Sequence, residues 1–293
     1  MDILIQQVVS GLATGGIYAS LALALVMIYQ ATDVVNFAQG NMAMFSTYIA
    51  WSLLQAGLPY WVTFAITVII AFVGGLVIER VVIRPVEGAP ILTIVIVTLG
   101  LLVIFTSVAG WIYSYIQKPF PSPFPEKPIT IGNVFFGAHD LGALGVTLLV
   151  LLFLYVFFRY TTLGLAMRAA AQNPVSSRLC GIRVGWMLAL GWGLAALVGA
   201  VAGLMIAPIV FLDPTMMSGI LIYAFASATL GGFTSPGGAV LGGLLVGVIE
   251  NLVGTYVKFI GTELKLTVAL AMILVVLLVR PSGLFGRAAV HRV

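Results

Sequence analysis

From Ile91 to Tyr113 the chain runs ILTIVIVTLGLLVIFTSVAGWIY without one charged side chain. A helix of about 20 apolar residues matches the hydrocarbon thickness of a bilayer. Comparable runs recur along the chain, which predicts an integral membrane protein. Only 8% of the residues are charged, against roughly 25% in soluble domains, so too few remain to cover a water-facing surface. The mean hydropathy of +1.18 agrees. Continuous runs predict helices, since a barrel would show alternating segments of about ten residues. A net charge of +4 suggests nucleic acid only if the positions of the charges are ignored, and no nucleic-acid partner is expected. The single cysteine, Cys180, excludes an internal disulfide and a multi-cysteine metal site.

The predicted fold is all-α and polytopic, with about nine transmembrane helices at 8–29, 41–55, 60–79, 91–113, 141–158, 186–210, 219–231, 239–257 and 264–279. Residues 1–10 lack a basic start and lead into the first helix rather than forming a cleaved signal. The segments 41–55, 219–231 and 264–279 are short, as expected of broken helices around a central pathway. Arginine positions orient the chain. Arg80 and Arg84, then Arg159, Arg168, Arg178 and Arg183, then Arg280, Arg287 and Arg292 all fall on one side of nine alternating spans. Lys118, Lys127, Lys258 and Lys265 fall on the other. The richer side is cytoplasmic, which predicts an external N-terminus and a cytoplasmic C-terminus. The external loop from Tyr113 to Asp140 is proline-rich and is expected to be a connector, with a contact for an external partner as the alternative.

Several interruptions carry polar residues into this apolar chain. In DVVNFAQGNMA, Asp33, Asn36, Gln39 and Asn41 surround Gly40. Gly40 would let the backbone bend, and the amides would satisfy the freed backbone groups, either in a plain inside turn or in a break lining a pathway. Glu250 lies well inside the eighth span, followed by Asn251. An acid there should be paired or protonated, and with no cation at membrane depth a structural role is expected over a relay. Glu79, Arg80, Arg84 and Glu87 around Pro85 predict a boundary ion-pair network or a partner contact. Asp213 before Pro214 predicts a turn. The glycines Gly238, Gly242 and Gly243 suit close helix packing. They form no phosphate cradle, since no G-x-x-x-x-G-K-[ST] occurs.

The basic loop at 159–185 is too long for a bare turn. Helix formers run through Ala171, Pro174 interrupts them, and PVSSRLCG predicts a second short helix ending before Gly181. On physics alone the loop is either a projection for a partner or an arginine cluster that only sets topology.

TTLGLAMRAAAQNPVSSRLCGI resembles the coupling loop of the branched-chain amino-acid ABC transporter permeases of the LivH type. GGIYASLALALVMIY, VNFAQGNMAMFSTYIA, IERVVIRPV, LGGFTSPGGAVLGGLLVGVIEN and RPSGLFGR follow that family in order. Where the family reads close to NFAHGE, this chain has NFAQGN, with Gln39 and Asn41 in place of a histidine and an acid.

The resemblance implies one permease domain over residues 1–293 in a bacterial-type inner membrane. It implies a second related permease, two ATP-binding subunits and an extracytoplasmic binding protein as partners. Coupling would run through Gly164, Arg168, Ala169, Ala170, Ala171, Asn173, Pro174, Arg178 and Gly181. Asn36, Gln39, Gly40, Asn41 and Glu250 are the candidate pathway residues. No catalytic residue, metal or cofactor is expected in this chain itself, ATP being hydrolysed by partners. The expected substrate is a branched-chain or related small amino acid, with urea, amides or aromatic acids as alternatives. An ion-coupled secondary transporter is the rival class, with Glu250 as its titrating site. An intramembrane enzyme is disfavoured, because neither HExxH nor GxSxG occurs and His139 and His291 lie outside the spans.

Overall fold

A computed structural model describes residues 2–286 except Asp33, Glu126, Gly132, Asn133, 258–260, 262 and 263. Arg287, His291, Arg292 and Lys258, used above to orient the chain or to weigh chemistry, lie outside the described residues.

The described residues form eleven α-helices: α1 Asp2–Thr32, α2 Gln39–Gln55, α3 Tyr60–Ile78, α4 Ile91–Tyr113, α5 Ala138–Tyr160, α6 Thr162–Gln172, α7 Pro174–Leu179, α8 Val184–Val210, α9 Met217–Gly231, α10 Pro236–Tyr256 and α11 Lys265–Val279. Among the described residues six helical stretches are long and apolar enough to cross a membrane, while α9 and α11 are shorter apolar helices. α2 is also short, at 17 residues. The chain is therefore a polytopic all-α membrane protein. α1 starts earlier than the apolar run suggests, because its polar lead-in continues the helix. The loop before α5 holds a small antiparallel hairpin, β1 Ile129–Ile131 with β2 Val134–Phe136, which no periodicity announces.

The chain divides into two compact units. One contains Met27–Pro123 and Val146–Ser218, the other Met1–Val26, Phe124–Gly145 and Gly219–Val293. In the first, α2 and α3 pack along α8. α8 is enclosed by protein over 78% of its apolar window, whereas α4 is covered over only 11%. A helix apolar all round must meet protein or lipid, so α8 forms the core of this unit and α4 offers its surface to the bilayer or to another chain.

The face of α3 turned to α8 repeats every fourth residue: Thr63, Thr67, Ala71 and Gly75 are buried, and Glu79 and Ile83 continue the stripe. Beyond Ile78 the helix loosens into a π-turn at Glu79–Ile83 and a 3-10 turn at Arg84–Val86, where Pro85 has no N–H to continue an α-helix. Here the expected ion-pair network does not form among the described residues. Glu79 is only 2% exposed, and its Oε2 lacks a hydrogen-bond partner among the described residues. Arg80 instead lies over the Trp186 ring at 5.0 Å. The period-four stripe turns the acid inward while its neighbours stay outside.

In the second unit, the interruption between α9 and α10 is a tight turn. Ser235 caps α10 by accepting from the Gly238 N–H at 3.1 Å, and Pro236 occupies the first turn. Gly238, Gly242 and Gly243 lie against Gly231, Ser227 and Ala19, so they serve close packing as expected.

Candidate functional site

The polar turn between α1 and α2 is built inside the protein. Ala31, near the end of α1, packs on a cluster formed by Ala170, Val184 and Leu188. Eight positions later, the Gln39 side chain meets the Ala195 carbonyl. At 1.5 Å per residue, Ala195 lies about 16 Å along α8, which is about 40 Å long. Residues 34–38 thus climb beside the first part of α8 without being helical, and α2 begins partway up. This climb is why α2 is short.

Non-helical backbone at such depth must find partners within the protein. Asn36 and Gln39 supply them, and both are fully buried. Asn36 Oδ1 accepts from the Ala38 N–H at 3.0 Å, and its Nδ2 donates to Gln39 Oε1 at 3.3 Å. Gln39 Nε2 then donates to the Ala195 carbonyl at 2.8 Å. Gly199 on α8 makes room for this amide, since a Cβ there would stand 2.7 Å from Gln39 Nε2. Asn41 is set apart from this chain of bonds: its Nδ2 donates to Thr106 Oγ1 on α4 at 2.6 Å. Gly40 is already helical, so the bend expected at Gly40 falls one step earlier, in residues 34–38. Asp33 lies outside the described residues.

Glu250 belongs to the other unit, where it is buried in α10. It accepts from the Tyr18 hydroxyl at 2.8 Å, and its other oxygen stands 4.0 Å from Lys265 Nζ. Tyr18 stacks on Tyr223 with ring centroids 4.8 Å apart. The expectation that no cation reaches this acid is corrected: Lys265, the first residue of α11, extends to it. Asn251 next door donates to Thr14 on α1 at 3.2 Å.

The loop at 159–185 folds into two short helices, as its sequence predicts. Thr161 caps α6 through the Gly164 N–H at 3.0 Å, and Asn173 caps α7 through the Ser176 N–H at 2.9 Å. Pro174 opens α7, and Gly181 follows it with φ +81°, a left-handed turn that favours glycine. Gly164 lies hard against the Phe157–Phe158 backbone, where a side chain has no space. Ala170 is buried against Val184 and Leu188, with Ala169 and Ala171 half-buried. Turned outward are Arg168 and Arg178, together with Leu165, Val175 and Leu179, the last 85% exposed. Of the alanines expected to meet a partner, Ala170 therefore serves the protein's own core, while Ala169 and Ala171 stay partly exposed. The exposed surface is leucine, valine and arginine.

Sequence reasoning missed Gly199, Thr106, Tyr18 and Lys265 as members of these sites, and Gly203, which stands against Ala43 and Thr47 of α2. The spacing Gly199-x-x-x-Gly203 was a usable signal for close approach on α8. The others carry no local signature.

The family described as branched-chain amino acid transport system / permease component matches residues 7–277. The high-affinity branched-chain amino acid transport system permease protein LivH of Salmonella typhimurium is 31% identical over 303 residues, spanning 99% of this chain and 97% of that protein. BraD of Pseudomonas aeruginosa, carrying the same description, is 32% identical over 317 residues, spanning 99% and 98%. A probable LivH of Methanocaldococcus jannaschii is 28% identical over 278 residues, spanning 91% and 87%. Among solved structures, PsaBC from Streptococcus pneumoniae in complex with Fab aligns at a TM-score of 0.51 and 14% identity over 96% of this chain and 93% of that one, a likeness of fold alone. With the family match running almost from end to end, and relatives more than 30% identical over nearly their whole length, the chain belongs to the branched-chain amino acid transport permeases.

Proposed function

We propose that this chain is the membrane-spanning subunit of an ATP-driven importer for branched-chain or related small apolar amino acids. The observation that carries the reading is the outward face of α6 and α7. Leu165, Val175 and Leu179 stand exposed beside Arg168 and Arg178 on two capped helices. Apolar side chains rimmed by arginine are the chemistry of a protein-binding surface. The chain has no phosphate-binding loop of its own, so ATP hydrolysis falls to a partner docked there. Two ATP-binding subunits, a second related permease and an extracytoplasmic binding protein complete the assembly. No cofactor is held by this chain.

In the transport cycle, ATP-driven closure of the partner subunits pulls on α6 and α7. Ala170 packs on Val184 and Leu188, so movement of α6 is delivered to α8, and through the Gln39–Ala195 bond to the start of α2. Asn36, Gln39, Gly40 and Asn41 stand behind the inner wall of the pathway and shape it by fixing where α2 begins. Glu250 holds α10 to α1 and α11. By the arginine count, α6, α7 and the C-terminus face the cytoplasm, and the N-terminus lies outside the inner membrane.

The test is uptake by proteoliposomes holding the coexpressed complex. Radiolabelled leucine or isoleucine should enter only with ATP and the binding protein present. Uptake driven by an ion gradient without ATP would assign the chain to secondary transport. Uptake of urea or an aromatic acid in preference to leucine would move the substrate within the same family.

A further inference from the structure

At the end of α8 remote from α6 and α7, two helices stop in the same unusual way. α4 ends on Ser114 with φ 65° and ψ 168°, and α8 ends on Phe211 with φ 63° and ψ 157°. This backbone region is strained for any residue with a Cβ and is left almost wholly to glycine. Among the described residues these are the only non-glycine positions with positive φ. The two chains leaving them then meet: the Lys118 N–H donates to the Leu212 carbonyl and the Leu212 N–H to the Lys118 carbonyl, both at 2.9 Å.

The bridge lies over an aromatic cluster. Lys118 Nζ stands 4.7 Å from the centre of the Trp51 ring on α2. Tyr113, the last residue of α4, stacks on Tyr48 at 4.5 Å and shares a hydrogen bond with Ser52 at 2.8 Å. Leu212 is fully buried, and so is Tyr48, whose hydroxyl has no hydrogen-bond partner among the described residues. Buried polar atoms without partners are uncommon and call for a reason.

These features oppose one another. Two backbone bonds, the cation over Trp51 and the buried Leu212 hold the bridge shut. Two strained residues and one unsatisfied hydroxyl stand against it. Strain held this way gathers at switch regions, where packing balances two arrangements.

The geometry points to the Lys118–Leu212 bridge as a strained latch across the ends of α2, α4 and α8, which must open in every transport turnover and uncovers the Tyr48 hydroxyl when it does. The inference rests on the transport reading above, and under the proposed topology this is the external end. The alternative occupation for the bridge is a permanent brace that stays closed throughout.

Residues that exchange both backbone bonds lie about 5.5 Å apart at Cα, within the range a disulfide spans. In a Cys180→Ser background, the Lys118→Cys/Leu212→Cys pair should therefore cross-link on mild oxidation. The experiment is leucine uptake by the reconstituted complex before oxidation, after it and after reduction. The latch predicts at least a tenfold fall on oxidation and recovery on reduction, with each single cysteine variant insensitive to oxidant. Full-rate uptake by the cross-linked protein overturns it, leaving a permanent brace. Failure of the pair to cross-link overturns the bridge itself. If the Cys180→Ser parent imports no amino acid under ATP although the complex assembles, the transport reading fails, a result separable from the other two.

Discussion

Two interruptions of this apolar chain, the turn at residues 34–41 and the helix pair α6–α7, solve opposite problems. In the turn, every amide that enters the protein is spent on the protein. Asn36 bonds Ala38 and Gln39, Gln39 bonds Ala195, and Asn41 bonds Thr106. In α6–α7 the side chains that matter are left unspent, with Leu179, Val175 and Leu165 exposed beside two arginines. The difference teaches how polar and apolar residues acquire a role from depth. An amide in a low-dielectric interior must be satisfied on the spot. A leucine in water at the chain's edge is a surplus that another protein can cover.

The comparison breaks most visibly at the exposed pair. Arg178→Glu should weaken docking of the ATP-binding subunit by about 2–5 kcal/mol, the usual cost of leaving a buried interface charge unpaired. Co-purification and substrate-stimulated ATP hydrolysis would register it. Thermal stability of the isolated chain should stay within about 0.5 kcal/mol, as for exposed substitutions generally.

The turn should answer in the reverse sense. Gln39→Leu strands the Asn36 amide and removes the donor to Ala195. Each orphaned group is worth about 1–3 kcal/mol, so a loss of about 2–4 kcal/mol is expected from unfolding in detergent. Gly199→Ala approaches the same amide from α8 and overfills it, for about 1–3 kcal/mol. Unchanged stability in both variants would show that Gln39 does not hold the start of α2.

Asn41→Leu sharpens the comparison at its margin. Asn41 has one hydrogen bond and is only part-buried, so a stability loss of about 1 kcal/mol is expected. Uptake should fall further than stability does, because α2 would lose its tie to α4 at Thr106. Normal uptake would make the residue structural only.

The helices were legible because apolar runs and prolines are local signals, and so was the α6–α7 pair, with Pro174 opening its second helix and Gly181 following it. The capping side chains Thr161 and Asn173 went unread. What stayed hidden depends on which residues meet. Glu79 looked like part of a surface charge cluster until the stripe from Thr63 turned it inward. Glu250 seemed without a cation because Lys265 belongs to the next helix. Gly40 looked like the bend because glycine is permissive, yet the bend lies in residues whose freed groups Asn36 and Gln39 satisfy. Ala169–Ala171 looked like a contact surface, but their spacing puts Ala170 on the face that packs against α8.

The central claim is that the outward face of α6–α7 receives the ATP-binding subunit. Its most direct test is retention of that subunit by the Val175→Asp/Leu179→Asp variant, purified from the coexpressed complex. Both side chains are exposed, at 68% and 85%, so the chain itself should insert and fold as before. The account predicts a folded, membrane-inserted chain that has lost the ATP-binding subunit. An intact complex that still couples ATP hydrolysis to substrate would contradict it.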